Sequence, residues 1–255
     1  MKLGIVTATS NAERAAACFQ SWAEHASGPL LLHVVTDGLH GEYTGPVRAF
    51  AIGVEALLAY DPAVDVIACL HDDLRIDEDG WDAKVVRAFE RHPEVGLLGF
   101  GGAIGLGAAD IYRTPYDPMQ LARVGFRSNL VDAEAHGSRS LLPEKVACLD
   151  GFSQIGRRAF YEQVHPWRTL VDAGFIHHFY DGALGCLAKR AGWEVFYLPI
   201  RCQHFGGQTA VGDQAYHAWA ARQINGGDRG FWEKSHRLGY DLFQDVLPLR
   251  VDQAG

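Results

Sequence analysis

Hydrophobic residues in this chain fall into short continuous runs, each closed by polar or glycine residues and followed by a stretch of helical spacing. Leu3 to Thr7 is the first run, and it ends in Thr7-Ala8-Thr9-Ser10-Asn11, a turn rich in helix-capping residues. Residues 12–25 then place Ala16, Phe19, Trp22 and Ala23 on one broad face. Gly28-Pro29 breaks the chain. Leu30 to Val35 is a second apolar run, closed by Thr36-Asp37-Gly38. Strand, helix, strand is how an α/β sheet begins.

The alternation continues. Residues 48–60 predict a helix, Val64 to Leu70 a buried strand, residues 79–92 a third helix, and Val95 to Phe100 another buried strand. A glycine-rich loop is expected next, carrying Gly99, Gly101, Gly102, Gly105 and Gly107. Residues 108–145 mix polar, Gly and Pro signals with little periodicity, which predicts a long loop or insertion. Lys145 to Leu149 resumes as a strand, Arg158 to Val164 is a short helix, and residues 180–191 are a clear helix stopped by Gly192. Trp193 to Leu198 is a further strand. With no internal repeat and no linker, the expectation is an α/β domain over residues 1–210. Its central sheet is mixed but mostly parallel and flanked by helices. Residues 211–255 form a helical extension and tail packed on it.

Composition narrows the class. At 48% hydrophobic and 21% charged, the 255 residues are those of an ordinary globular protein. The 29 glycines exceed the usual share of about 7%, so tight turns or close backbone approaches are expected. Lys and Arg number 23 against 31 Asp and Glu, a net charge of −8 that argues against a general nucleic-acid binder. No apolar run approaches the roughly 20 residues of a membrane span. Met1-Lys2-Leu3-Gly4-Ile5-Val6 leads straight into strand-like sequence rather than a secretory h-region, so a cytoplasmic protein is expected. Cys18, Cys69, Cys148, Cys186 and Cys202 are odd in number, widely spaced and without a C-x-x-C pair. They read as reduced core residues rather than a zinc or disulfide framework.

Three places carry chemistry. In Ile67-Ala68-Cys69-Leu70-His71-Asp72-Asp73-Leu74, an imidazole and two carboxylates sit at the C-terminal end of an apolar strand, the edge where open α/β sheets bind ligands. Adjacent carboxylates repel unless neutralised, and a hard cation does so through oxygen ligands, bringing a polyphosphate with it. The plainer alternative is an exposed acidic turn. In Phe175-Ile176-His177-His178-Phe179-Tyr180-Asp181-Gly182, Asp181 sits near a helix start, either as its cap or as a carboxylate tuned to act as a base. In Gln203-His204-Phe205-Gly206-Gly207, His204 follows a strand and precedes two glycines that permit close approach. A competing signal is Gly99-Phe100-Gly101 with Gly105, a loose dinucleotide-loop pattern followed by residues that make a poor helix.

Taken in order, these features resemble the GT-A-type nucleotide-sugar glycosyltransferases, particularly family-2-like bacterial members, over about residues 1–210. The opening strand-turn-helix-strand ends in an acid, Val34-Val35-Thr36-Asp37. His71-Asp72-Asp73 stands where that family carries Asp-x-Asp, with His71 in place of the first Asp and Asp73 retained. Leu149-Asp150-Gly151-Phe152 resembles the acceptor-side segment, Tyr180-Asp181 the base-bearing helix, and His204 the late metal-binding histidine.

The resemblance implies a GT-A-like fold and a metal-dependent transfer, inverting in outcome, from a nucleoside-diphosphate sugar to an acceptor hydroxyl. It implies Asp73 and His204 as ligands of Mn²⁺ or Mg²⁺, and Asp181 as the catalytic base. Thr7, Thr9, Asp37, His71 and Asp72 would lie on the nucleotide side. The acceptor is left open among a saccharide, a lipid-linked sugar, a protein, a metabolite and a modified nucleobase. A non-catalytic nucleotide-sugar-binding module on the same fold is the alternative, kept open by His71. Residues 108–142 are expected to order over a bound donor as a lid.

Overall fold

A computed structural model describes residues 1–36, 45–107, 123–128, 138–206, 214–223 and 227–251. The first half carries β1 (Lys2–Thr9), α1 (Ala12–Glu24), β2 (Leu31–Thr36), α2 (Gly45–Tyr60), β3 (Val64–Leu70), β4 (Leu74–Ile76), α3 (Trp81–Arg91), β5 (Val95–Gly99), β6 (Gly101–Leu106) and β7 (Arg123–Ser128). The second carries β8 (Glu144–Lys145), β9 (Cys148–Leu149), β10 (Ser153–Arg157), α4 (Arg158–Val164), α5 (Pro166–Asp172), α6 (Tyr180–Arg190), β11 (Glu194–Tyr197), β12 (Cys202–His204), α7 (Gln214–Gln223), α8 (Gly227–Leu242) and β13 (Leu249–Arg250).

Seven strands form the central sheet in the order β2-β1-β3-β10-β5-β11-β8. β1 pairs in parallel with β2 and β3, and β5 with β11, while β10 runs antiparallel between β3 and β5. The sheet is mixed and mostly parallel. Its central strands are apolar on both faces, as parallel strands covered on both sides must be. Along β3 the side chains alternate between two cores. Val64, Ile67 and Cys69 pack with Phe50 and Trp167 on one face, and Val66, Ala68 and Leu70 with Trp22 and Trp81 on the other. Two indole N–H groups tie the second core to the backbone: Trp22 Nε1 donates to Leu74 O (2.7 Å) and Trp81 Nε1 to Trp22 O (3.0 Å).

The glycine-rich stretch differs from its expected loop. Gly101–Leu106 is strand β6, paired antiparallel with β7, β9 and β13. The glycines are there for packing: a Cβ on Gly102 would sit 2.7 Å from Cys148 O, and one on Gly99 would sit 2.5 Å from Ser153 O. No helix opens at this glycine pair, which removes the dinucleotide-loop alternative. Strand β7 also lies inside the stretch expected as a loop. Residues 138–145 of that stretch are also described and end in β8, while residues 108–122 and 129–137, which include most of the expected lid, lie outside the described residues, as does Asp37.

The last fifty residues hold more structure than helix and tail. Strand β13 joins β6 (Leu249↔Leu106), and Phe243, Leu247 and Leu249 are part of the larger core. All five cysteines are buried and unpaired, and burial pushes the Cys69 and Cys148 thiols up to about 12. Among the described residues, no helix is long and apolar enough to cross a membrane.

Candidate functional site

The His71-Asp72-Asp73 turn links β3 to β4, so the apolar strand delivers it to the C-terminal edge of the sheet. Strand β4 pairs antiparallel with β12 in the register His204↔Leu74, and Phe205 N–H donates to Asp73 O (3.0 Å). Two three-residue strands therefore carry His204 across the sequence to Asp73. Facing donor atoms of His71, Asp73 and His204 lie within 4.8 Å of one another. His204 Nε2 is 3.2 Å from Asp73 Oδ1, and His71 Nδ1 is 3.7 Å from the same oxygen. Both Asp73 Oδ1 and His204 Nε2 are buried without a hydrogen-bond partner among the described residues.

The protonation pattern suits a cation. Burial would raise the Asp73 pKa, but His204, His71 and Arg14 outweigh it and hold the carboxyl down at about 2. His71 keeps 27% of its side-chain surface exposed, yet desolvation of its ring outweighs Asp73 and lowers its pKa below 6.5. Its Nε2 meets Tyr180 Oη at 2.7 Å, and Tyr180 in turn donates to Gly151 O at 3.2 Å. When the phenol proton goes to Gly151 O, His71 Nε2 is the donor to Tyr180 Oη, and the Nδ1 lone pair then faces Asp73. A hydrogen bond at the far nitrogen that fixes the tautomer is how metal-ligating histidines are held. The His204 ring packs on Phe152, centroids 4.7 Å apart.

Asp72 points elsewhere. Its Oδ2 accepts from Thr9 Oγ1 (2.6 Å) and Arg14 Nη2 (2.7 Å), which locks the turn to the end of β1 and the start of α1. Thr9, Arg14, Asp72, Asp73 and His71 line a small pocket of about 90 Å³. Thr7 has no exposed surface, and its Oγ1 is buried without a hydrogen-bond partner among the described residues. Arg14 had no signal in the sequence, because nothing in a helical first turn announces a partner 58 residues away.

A larger cavity of about 460 Å³ opens on the other side of His71 and Tyr180. Asp181 and Asp150 line it, and Arg123 of β7 joins them, its Nη1 3.1 Å from Asp181 Oδ2 and 3.5 Å from Asp150 Oδ2. Burial would lower the Arg123 pKa, but the two carboxylates raise it, so the guanidinium stays charged. Asp181 is not a helix cap: the N-cap of α6 is Phe179, in the left-handed region at φ 64°, with no side-chain cap bond. Asp181 Oδ1 accepts from the adjacent Gly182 N–H (2.8 Å).

Neither a comparison with protein-family models nor one with curated proteins finds a match. Among solved structures the chain is similar to CMP:2-keto-3-deoxy-manno-octonic acid synthetase complexed with CTP, at 11% identity and a TM-score of 0.43, covering 79% of this chain and 90% of that one. It is also similar to a Drosophila β-1,4-galactosyltransferase 7 mutant complexed with manganese, UDP-Gal and xylobiose (10% identity, TM-score 0.43, 82% and 73% covered). A third is a glycosyltransferase involved in glycosylation of the major capsid of PBCV-1 (9% identity, TM-score 0.38, 68% of each chain). These nucleotide-sugar transferase folds are distant in sequence and in superposition, and residue roles do not transfer from them.

Proposed function

We propose that this chain is a divalent-metal-dependent glycosyltransferase that takes its sugar from a nucleoside-diphosphate donor. One observation carries the reading: His71, Asp73 and His204 converge at the C-terminal edge of the sheet, with two buried ligand atoms that no described residue satisfies. The residues fit a cation, since a buried carboxylate oxygen and an imidazole nitrogen 3.2 Å apart, neither with a hydrogen-bond partner among the described residues, are both ligand atoms for a divalent ion. Two imidazoles favour Mn²⁺ over Mg²⁺. The same donor set also suits Fe²⁺. Its place at the ends of parallel strands, beside a crevice edged by Arg14 and Thr9, favours a phosphate-bearing ligand.

In this reading His71, Asp73 and His204 hold the ion, which when bound neutralises charge on the leaving diphosphate. Asp72 anchors the turn through Thr9 and Arg14, so the ligand atoms arrive preorganised. Asp181, in the larger cavity, accepts the proton of the acceptor hydroxyl, and Arg123, 3.1 Å away, orients that carboxylate. One base on the acceptor side is consistent with inversion. Asp150, sharing Arg123, is the next candidate for the base.

A screen of nucleotide sugars for thermal stabilisation, with Mn²⁺ and with EDTA, tests the proposal, since selective binding raises stability by mass action. Stabilisation by a nucleoside-diphosphate sugar that needs Mn²⁺ is expected. Equal stabilisation in EDTA, or none by any nucleotide sugar, contradicts it.

A further inference from the structure

We infer that the acceptor is a saccharide, bound in the 460 Å³ cavity with one ring face on Trp232 and its hydroxyls on Asp150, Asp181 and Arg123. The inference rests on the transferase reading for the reaction, but not for the binding site itself. The cavity falls within the roughly 300–1,000 Å³ range of small-ligand clefts. Its walls have two characters. Among the aromatic lining residues, α8 contributes Trp232 and, one turn later, His236, with ring centroids 4.0 Å apart, and β7 contributes Phe126, whose ring lies 5.3 Å from the Arg123 guanidinium. The polar lining includes the carboxylates of Asp150 and Asp181, each within 3.5 Å of the one Arg123 guanidinium that joins them.

That pairing matches a pyranose. A sugar ring presents an apolar C–H face, which an aromatic platform covers. Around its edge it carries hydroxyls that both donate and accept, suited to carboxylates that only accept and to an arginine that only donates. The formal charge of these three groups is −1, which disfavours phosphorylated or carboxylated acceptors. An acyl chain would strand the Asp150-Arg123-Asp181 group without partners. A planar base would find the platform but few groups on its own edge able to satisfy two carboxylates. Asp150 and Asp181 stand out in the sequence, but Trp232 and His236 sit on a helix near the C-terminus and Arg123 on a short strand, and these carry no local signal of the site they join.

Saturation-transfer NMR on the full chain, without nucleotide, against methyl pyranosides (gluco, galacto, manno, xylo) and the disaccharides maltose, cellobiose and lactose tests the site directly. Transfer to ring C–H protons from aromatic resonances is expected for at least one member. Trp232→Ala should weaken that member about tenfold, and Trp232→Phe, which keeps a ring, should retain most of it. Trp232→Phe also guards against a misfolded alanine variant. No transfer to any saccharide, transfer unaffected by Trp232→Ala, or binding of a nucleoside or peptide in preference to every sugar overturns the inference. Donor binding in Mn²⁺ without any saccharide binding sinks this inference and spares the transferase reading. Saccharide binding without metal-dependent nucleotide binding does the reverse.

Discussion

His204 Nε2 lies 3.2 Å from Asp73 Oδ1 across the β4–β12 pair, and neither atom has a hydrogen-bond partner among the described residues. An imidazole lone pair facing a carboxylate is an arrangement that a cation relieves. Asp73→Asn separates this from a plain ion pair. The amide can donate to His204, so the metal-free variant should be at least as stable as the parent, while its Mn²⁺ affinity falls roughly 100-fold or more. If the two residues served only as a buried salt bridge, the same change would cost about 3–5 kcal/mol in denaturant titrations.

Tyr180 should matter to metal binding without touching the metal. Its hydroxyl sits between His71 Nε2 and Gly151 O. Tyr180→Phe removes the group that fixes the His71 tautomer, and losses of this kind cost about 10–100-fold in metal affinity. Calorimetric titration with Mn²⁺ reads it, and an unchanged affinity would show that the tautomer is set in another way.

The pH dependence has a definite sign. Metal ligands must be deprotonated, so Mn²⁺ affinity should fall with acid. Burial puts the folded-state pKa of His71 below its ordinary 6.5. The unfolded chain therefore binds this proton more readily. The stability His71 contributes is fully present above pH 6.5 and is lost as pH falls through that value toward its lower folded pKa. Denaturant midpoints from pH 8 to 5 in EDTA should decline less steeply for His71→Asn than for the parent; parallel slopes would deny His71 this role.

Asp181→Asn keeps the size of the side chain but cannot take a proton. Transfer should slow by about 10²–10⁴-fold with donor affinity little changed. A fully active variant would move the base to Asp150, which shares Arg123 at 3.5 Å.

Gly102→Ala tests the reading of the glycine-rich stretch as packed strand. The added methyl meets Cys148 O at 2.7 Å, an overpacking expected to cost about 1–3 kcal/mol. Loss of nucleotide binding at unchanged stability would instead restore a ligand-binding loop.

Long elements were legible in the chain, and short ones were not. The runs at Leu3–Val6 and Val66–Leu70 reveal strands because both faces are largely buried, so the sequence there carries no charged residue. β4 and β12 are three residues each, too short for any period, yet they are what brings His204 to Asp73. Asp73, Asp181 and His204 stood out by sequence order. His71 was read on the nucleotide side, but the structure sets its ring beside Asp73 and His204, because a turn's side-chain direction is not encoded in a local pattern. Arg14, Arg123 and Tyr180 act through partners far away in sequence, and so does the Trp232 wall of the large cavity.

Pulsed electron paramagnetic resonance of Mn²⁺ bound to the protein, with and without UDP, addresses the central claim most directly. The account predicts ¹⁴N couplings from two imidazoles, one lost in His71→Ala and the other in His204→Ala, and a ³¹P coupling that appears when UDP is added. Bound Mn²⁺ with no imidazole coupling, or couplings indifferent to both substitutions, would contradict it.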